Sequence, residues 1–154
     1  MSADPHSAAQ AAVPPDDVQP DDIRPDDIRS GGCLCGAVRY EAKAPLRAVV
    51  ACHCLQCRKT SGHYAAMTSV PLDRFALTRD DGLAWFRSSE KAERGFCRLC
   101  GSNLFWKPTG QARVSITAGT LDGPTGLCIE RHIYCDYAGD YYAIAEAVPQ
   151  LPEH

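Results

Sequence analysis

The chain has 154 residues, 45% of them apolar, and a formal net charge of −3, which leaves room for one domain with a real core and not for two. No apolar run approaches the ~20 residues that a membrane helix needs, so no membrane span is expected. The charge is unevenly spread: residues 1–29 hold seven aspartates against two arginines, the remainder is close to balanced, and no general attraction for nucleic acid follows.

The first residues, Met1-Ser2-Ala3-Asp4-Pro5-His6, have neither a basic n-region nor an apolar h-region, so a cytoplasmic protein is expected. Thiols stay reduced there, and nine cysteines, an odd number, read as metal-binding or catalytic groups and not as a disulfide framework. Pro15-Asp16-Asp17-Val18-Gln19 is followed by Pro20-Asp21-Asp22-Ile23-Arg24 and Pro25-Asp26-Asp27-Ile28-Arg29. A proline every fifth residue denies a continuous helix, and the composition is too polar for a core. Residues 1–29 are therefore expected to be a disordered acidic tail, and residues 30–154 the folded domain.

From Ser30 onward the pattern is one of short strands and turns. Val38 and Tyr40 alternate with Arg39 and Glu41 across 37–41, as in a half-buried strand. Further strands are expected at 46–51, 64–70, 74–78, 83–88, 103–107, 113–118 and 131–134. In 113–118, Val114, Ile116 and Ala118 share one face while Arg113, Ser115 and Thr117 share the other, which suits an antiparallel sheet with one wet side. The best helical stretch is Leu55–Ser61, barely two turns long and closed by Gly62. The expected architecture is mainly β, with packed antiparallel sheets and at most short helices.

Seven of the nine cysteines fall in three clusters: Cys33-Leu34-Cys35-Gly36, Cys52-His53-Cys54-Leu55-Gln56-Cys57 and Cys97-Arg98-Leu99-Cys100-Gly101. Zinc takes a few thiolates in tetrahedral array, and cysteines separated by one or two residues can turn their sulfurs to one ion. Glycine directly after Cys35 and Cys100 permits the left-handed backbone that closes a metal-binding knuckle. Cys33, Cys35, Cys97 and Cys100 thus make a natural closed, structural zinc site. Cys52, Cys54 and Cys57 are three ligands for a second zinc, and three ligands leave a position for substrate. Thiolates make that metal a poor carbonyl polariser and suit it better to binding a substrate thiol. Two alternatives stay open: His53 or a distant residue closes the second site as well, or the second cluster holds no metal and works as a redox dithiol. In an extended segment His53 points away from its neighbours, toward a second shell or the surface.

With these residues in view, the chain resembles the glutathione-dependent formaldehyde-activating enzyme family, which includes centromere protein V and has the Mss4-like β fold. The resemblance spans about residues 30–151. It rests on Gly32-Cys33-Leu34-Cys35-Gly36-Ala37-Val38, on 52–59 followed by Gly62, and on Arg94-Gly95-Phe96-Cys97-Arg98-Leu99-Cys100-Gly101-Ser102. Ala118-Gly119-Thr120-Leu121-Asp122, His132-Ile133 and Leu151-Pro152 complete it. It implies structural zinc at Cys33, Cys35, Cys97 and Cys100 and catalytic zinc at Cys52, Cys54 and Cys57, with Cys54 also expected as the catalytic residue. It further implies carbon–sulfur lyase chemistry of the S-(hydroxymethyl)glutathione synthase type, with a small thiol such as glutathione and a small aldehyde as partners. Cys135 stands where relatives commonly have an apolar residue, and Tyr141-Tyr142 where a tryptophan is expected. The alternative reading is a zinc-stabilised binding module without catalysis, since a fold does not settle a function.

Outside the clusters, Cys128 and Cys135 are expected to be small buried hydrophobes. Arg58 and Lys59 are either receivers of a substrate carboxylate or solvated charges. Trp85, Phe86, Phe96, Phe105 and Trp106 are expected mostly in the core, and Gly119 and Asp122 in a turn.

Overall fold

A computed structural model describes residues 27–153. Among them, in chain order, are β1 (Ile28–Gly32), β2 (Arg39–Lys43), β3 (Val49–Cys52), helix α1 (Leu55–Ser61), β4 (Ala65–Pro71), β5 (Phe75–Arg79), β6 (Leu83–Ser89), β7 (Ala92–Cys97), β8 (Asn103–Pro108), β9 (Arg113–Thr117) and β10 (Ile129–Ile133). The expected acidic tail lies outside the described residues as far as residue 26. At its far end the domain starts earlier than expected, because Ile28 and Arg29 already pair with Lys43 and Ala42.

The described strands form two sheets, one ordered β1-β2-β5 and one ordered β10-β3-β4-β9-β8-β7-β6. Val38, Tyr40 and Ala42 turn their buried sides to Val70, Leu104, Phe105, Val114 and Ile116, and these residues form one apolar cluster. The Tyr40, Phe75 and Phe105 rings meet at centroid distances of 5.2 to 5.7 Å, two of the three contacts edge to face, the arrangement that ring quadrupoles favour. The alternation expected at 113–118 is present, with Val114 and Ile116 buried and Ser115 and Thr117 half-buried.

Three expectations need correction. The sheets are not wholly antiparallel: β10 runs parallel to β3, because side-chain alternation tells which face is buried and not which partner or direction a strand takes. Trp85 and Phe86 are exposed, since β6 is the edge of the larger sheet, whereas Phe105 is buried. Cys128 is exposed and Cys135 half-buried, so neither is a fully buried hydrophobe.

Helix α1 has the boundaries that the sequence implies, with Cys54 at its N-cap and Gly62 (φ 73°) at its C-cap, whose N–H donates to the Arg58 carbonyl at 2.9 Å. Seven residues do not sustain a helix alone. The Gln56 amide donates to the Ser88 carbonyl at 3.1 Å, Arg58 donates to the Tyr137 carbonyl at 2.8 Å, and the Asn103 amide donates to the Thr60 carbonyl. These bonds hold α1 between β6, β8 and the turn after β10. Among the described residues no helix is long and apolar enough to cross a membrane.

Candidate metal centre

Cys33, Cys35, Cys97 and Cys100 are brought together, their four sulfurs within 4.8 Å of one another. Cys33 and Cys35 lie in the turn between β1 and β2, Cys97 ends β7, and Cys100 follows it before β8. Gly36 (φ 75°) and Gly101 (φ 78°) are left-handed and donate N–H bonds back to the carbonyls of Cys33 and Cys97 at 3.2 and 2.8 Å. That is the knuckle geometry expected at both positions. Sulfurs placed ~2.3 Å from one centre in a tetrahedron stand about 3.8 Å apart, and Sγ of Cys35 lies 3.5 Å from that of Cys33 and 3.7 Å from that of Cys97. The donor set therefore fits a zinc ion.

Further donors support these sulfurs. The Val38 N–H reaches Cys33 Sγ at 3.3 Å, and the Ser102 hydroxyl lies 3.3 Å from Cys100 Sγ. Against the upward push of burial, hydrogen bonds from Ser102, and then from the Cys35 backbone and Cys97, bring the Cys100 thiol down to about 6. Cys33 and Cys97 belong to the apolar core itself, so this cluster joins the two sheets from within.

Cys52, Cys54 and Cys57 form the second group, again within 4.8 Å of one another. Cys52 ends β3, Cys54 caps α1, and Cys57, buried, lies in its first turn. The Cys57 N–H donates to Cys54 Sγ at 3.4 Å. Hydrogen bonds from Cys52 and then Cys57 push the Cys54 thiol down, and bonds to Cys54 and then Cys57 push Cys52 up. Metal binding would deprotonate all three.

His53 does not join the group. Fully buried, it turns to the other side of β3, where Nε2 lies 2.8 Å from His132 Nδ1 and Nδ1 lies 2.5 Å from the Tyr142 hydroxyl. Burial, then the neighbouring His132 and His63, lower its pKa to about 4, so both imidazoles are neutral and each bond joins one donor to one acceptor. His132, Tyr64 and Tyr142 with Ile144 and Val148 surround a cavity of about 230 Å³ on that side. The second group thus holds three ligand atoms, and no other cysteine, histidine, aspartate or glutamate among the described residues shares it.

The sulfurs of this group are not alone at their surface. Arg94, on β7, places Nη2 3.7 Å from Cys57 Sγ and 3.4 Å from Gln56 Oε1. Tyr134, left-handed at φ 57°, has its phenol pKa raised by burial and then by the charges of Cys52 and Cys54. Neither residue was singled out for a role from the sequence, where Arg94 is one letter of a motif and Tyr134 one aromatic among many. Of the two cations that were, Arg58 is engaged with the Tyr137 carbonyl and Lys59 is exposed. His132 and Cys135 do not assemble a third cluster among the described residues.

A crystal structure of a Rhodobacter sphaeroides protein superposes with a TM-score of 0.50 at 26% identity, covering 62% of this chain and 90% of that one. An uncharacterized lyase of Schizosaccharomyces pombe is 27% identical over 117 residues, which cover 75% of this chain and 84% of the relative. The pattern of the family described as glutathione-dependent formaldehyde-activating enzyme matches residues 28–137. Because that match runs from the first residue of β1 to the turn after β10, the chain belongs to the glutathione-dependent formaldehyde-activating enzyme family.

Proposed function

We propose that this protein is a zinc-dependent enzyme that makes or breaks a carbon–sulfur bond between a small thiol, such as glutathione, and a small aldehyde. It would be a lyase of the S-(hydroxymethyl)glutathione synthase type. Cys33, Cys35, Cys97 and Cys100 would hold a structural zinc, and Cys52, Cys54 and Cys57 a catalytic one. The observation that carries the reading is the inequality of the two groups: four sulfurs tied into the core at one, three ligand atoms at the other. A zinc ion held by these three cysteines would supply a Lewis-acid centre that favours the ionised form of a substrate thiol.

The chain's own residues do the rest. Cys54 caps α1 and accepts the Cys57 N–H on its sulfur, so the helix start orients it toward the site. Arg58 bonds the carbonyl of Tyr137 and so holds α1 against the turn that bears Tyr134. The Tyr134 phenol, whose pKa burial and then the charges of Cys52 and Cys54 raise, would be a neutral O–H donor. In the forward direction the substrate sulfur attacks the carbonyl carbon, the C–S bond forms, and the C=O π pair moves to oxygen, which takes a proton. Cleavage is the reverse. Family membership and the lyase relative support the class of reaction.

The test is the exchange rate of the glutathione–formaldehyde adduct, read by NMR, with protein carrying two zinc ions. Acceleration that disappears in Cys54→Ser supports the enzyme. A metal-loaded protein that neither binds thiols nor changes the exchange rate ends this reading in favour of a zinc-stabilised binding module.

A further inference from the structure

Arg94 is a cation with unusual company. Its strand neighbours in register are Phe86 on β6 and Trp106 on β8, and directly opposed residues share a face of the sheet. The guanidinium therefore leaves β7 between two aromatic positions. Its Nε is buried without a hydrogen-bond partner, while Nη2 approaches Cys57 Sγ at 3.7 Å and the Gln56 amide oxygen at 3.4 Å. A guanidinium stays charged under all ordinary conditions, and its planar fork binds anions directionally. Leaving one of its donors dry is costly unless the group meets a strong negative charge.

Three thiolates and a divalent zinc sum to one negative charge, and an arriving thiolate makes it two. Arg58, the arginine on α1 itself, is engaged with the Tyr137 carbonyl instead.

We infer that Arg94 is the positioning residue that balances the charge of the three-cysteine site, holding its guanidinium against Cys57 Sγ and making a fourth, substrate sulfur acceptable there. The inference rests on the function proposed above, which it deepens. It also carries a structural corollary. Arg94 stands three residues before Cys97, so one strand, β7, serves both cysteine groups, reaching the second through a side chain and the first through its end.

The experiment compares full-length Arg94→Gln and Arg94→Lys with the unaltered protein. The first arm follows zinc transfer to a chromophoric chelator. In Arg94→Gln one zinc per chain should transfer ~10-fold faster or more, the scale typical of lost partners behind a metal ligand, while the other transfers at its usual rate and circular dichroism is unchanged. The lysine variant should lie between. The second arm titrates the cobalt-substituted proteins with glutathione and with 2-mercaptoethanol, following the sulfur-to-cobalt charge-transfer band. Both thiols should bind ~10-fold more weakly to Arg94→Gln. Loss for glutathione alone would overturn charge balance and make Arg94 a receiver of the tripeptide's carboxylates. Zinc transfer from both sites at the unaltered rate would overturn the inference, and it can do so even if the unaltered cobalt protein ignores both thiols, a result that would defeat the proposed reaction instead. If Arg94→Gln does not fold, Arg94→Lys alone decides through the same two readouts.

Discussion

The two cysteine groups use one kind of ligand for opposite ends. In the first, Cys33 and Cys97 are buried among Val38, Tyr40 and Leu104, so these candidate ligands are also core residues joining β1 and β2 to β7 and β8. The second is assembled within six residues of chain, from the end of β3 to the first turn of α1, and only Cys57 is buried. The ligand atoms are of the same kind at both; what differs is how much of the fold depends on each. A site woven into the core stabilises the fold, and a site on a short helix can change its contents without unfolding it.

The largest expected effect tests that difference directly. Cys97→Ser should abolish cooperative folding or lower stability by more than about 4 kcal/mol, beyond the usual range of single substitutions. Cys54→Ser should stay folded within about 2 kcal/mol of the parent and lose one zinc, as read by thermal melts and metal analysis. Equal destabilisation would erase the contrast.

A smaller effect separates packing from metal at the first group. A Cβ on Gly31 would run into the Tyr40 hydroxyl and the Thr120 carbonyl, so Gly31→Ala should cost roughly 1–3 kcal/mol in urea denaturation by overpacking, with both zinc ions retained. Zinc loss from the first group in this variant would mean that the metal depends on the strand pairing.

The smallest effect concerns the back of the second group. Burial lowers the His132 pKa in the folded state relative to about 6.5 in the unfolded chain. Its contribution is therefore present above about pH 6.5 and is lost as pH falls toward the folded value. His132→Gln should be less stable at pH 8, because His53 loses a partner, and should show a shallower fall of stability between pH 6.5 and 5. An unchanged slope would place the acid sensitivity elsewhere.

What the sequence made legible follows the range of the interactions involved. Helix α1 and both glycine knuckles were readable because their causes lie within four residues. Val114 and Ile116 were readable because a one-sided sheet writes its pattern into every second residue. Strand β7 was not, because its buried residues are Ala92, Gly95 and Cys97, too small to register as an apolar run, and a bulge between Gly95 and Phe96 breaks the period. Strand β1 was hidden because Ile28 and Arg29 fall in the acidic repeat and Ser30-Gly31-Gly32 carries no apolar side chain, although Gly31 is where Tyr40 packs closely. The grouping of the cysteines was open to spacing arguments. The places of Arg94 and Tyr134 beside the sulfurs were not, since nothing local marks a side chain that arrives from another strand.

The parallel pairing of β10 with β3 also sets an order of events. The three cysteines of the second group are all present once residue 57 has been synthesised, yet His132, which backs the segment, comes 79 positions after His53, and the His53 N–H finds its acceptor at the Ile133 carbonyl. A nascent chain thus owns the cysteine triad long before it owns the triad's surroundings. Closing that long loop is the slow part, and until it closes the sulfurs are exposed to whatever metal or oxidant reaches them first.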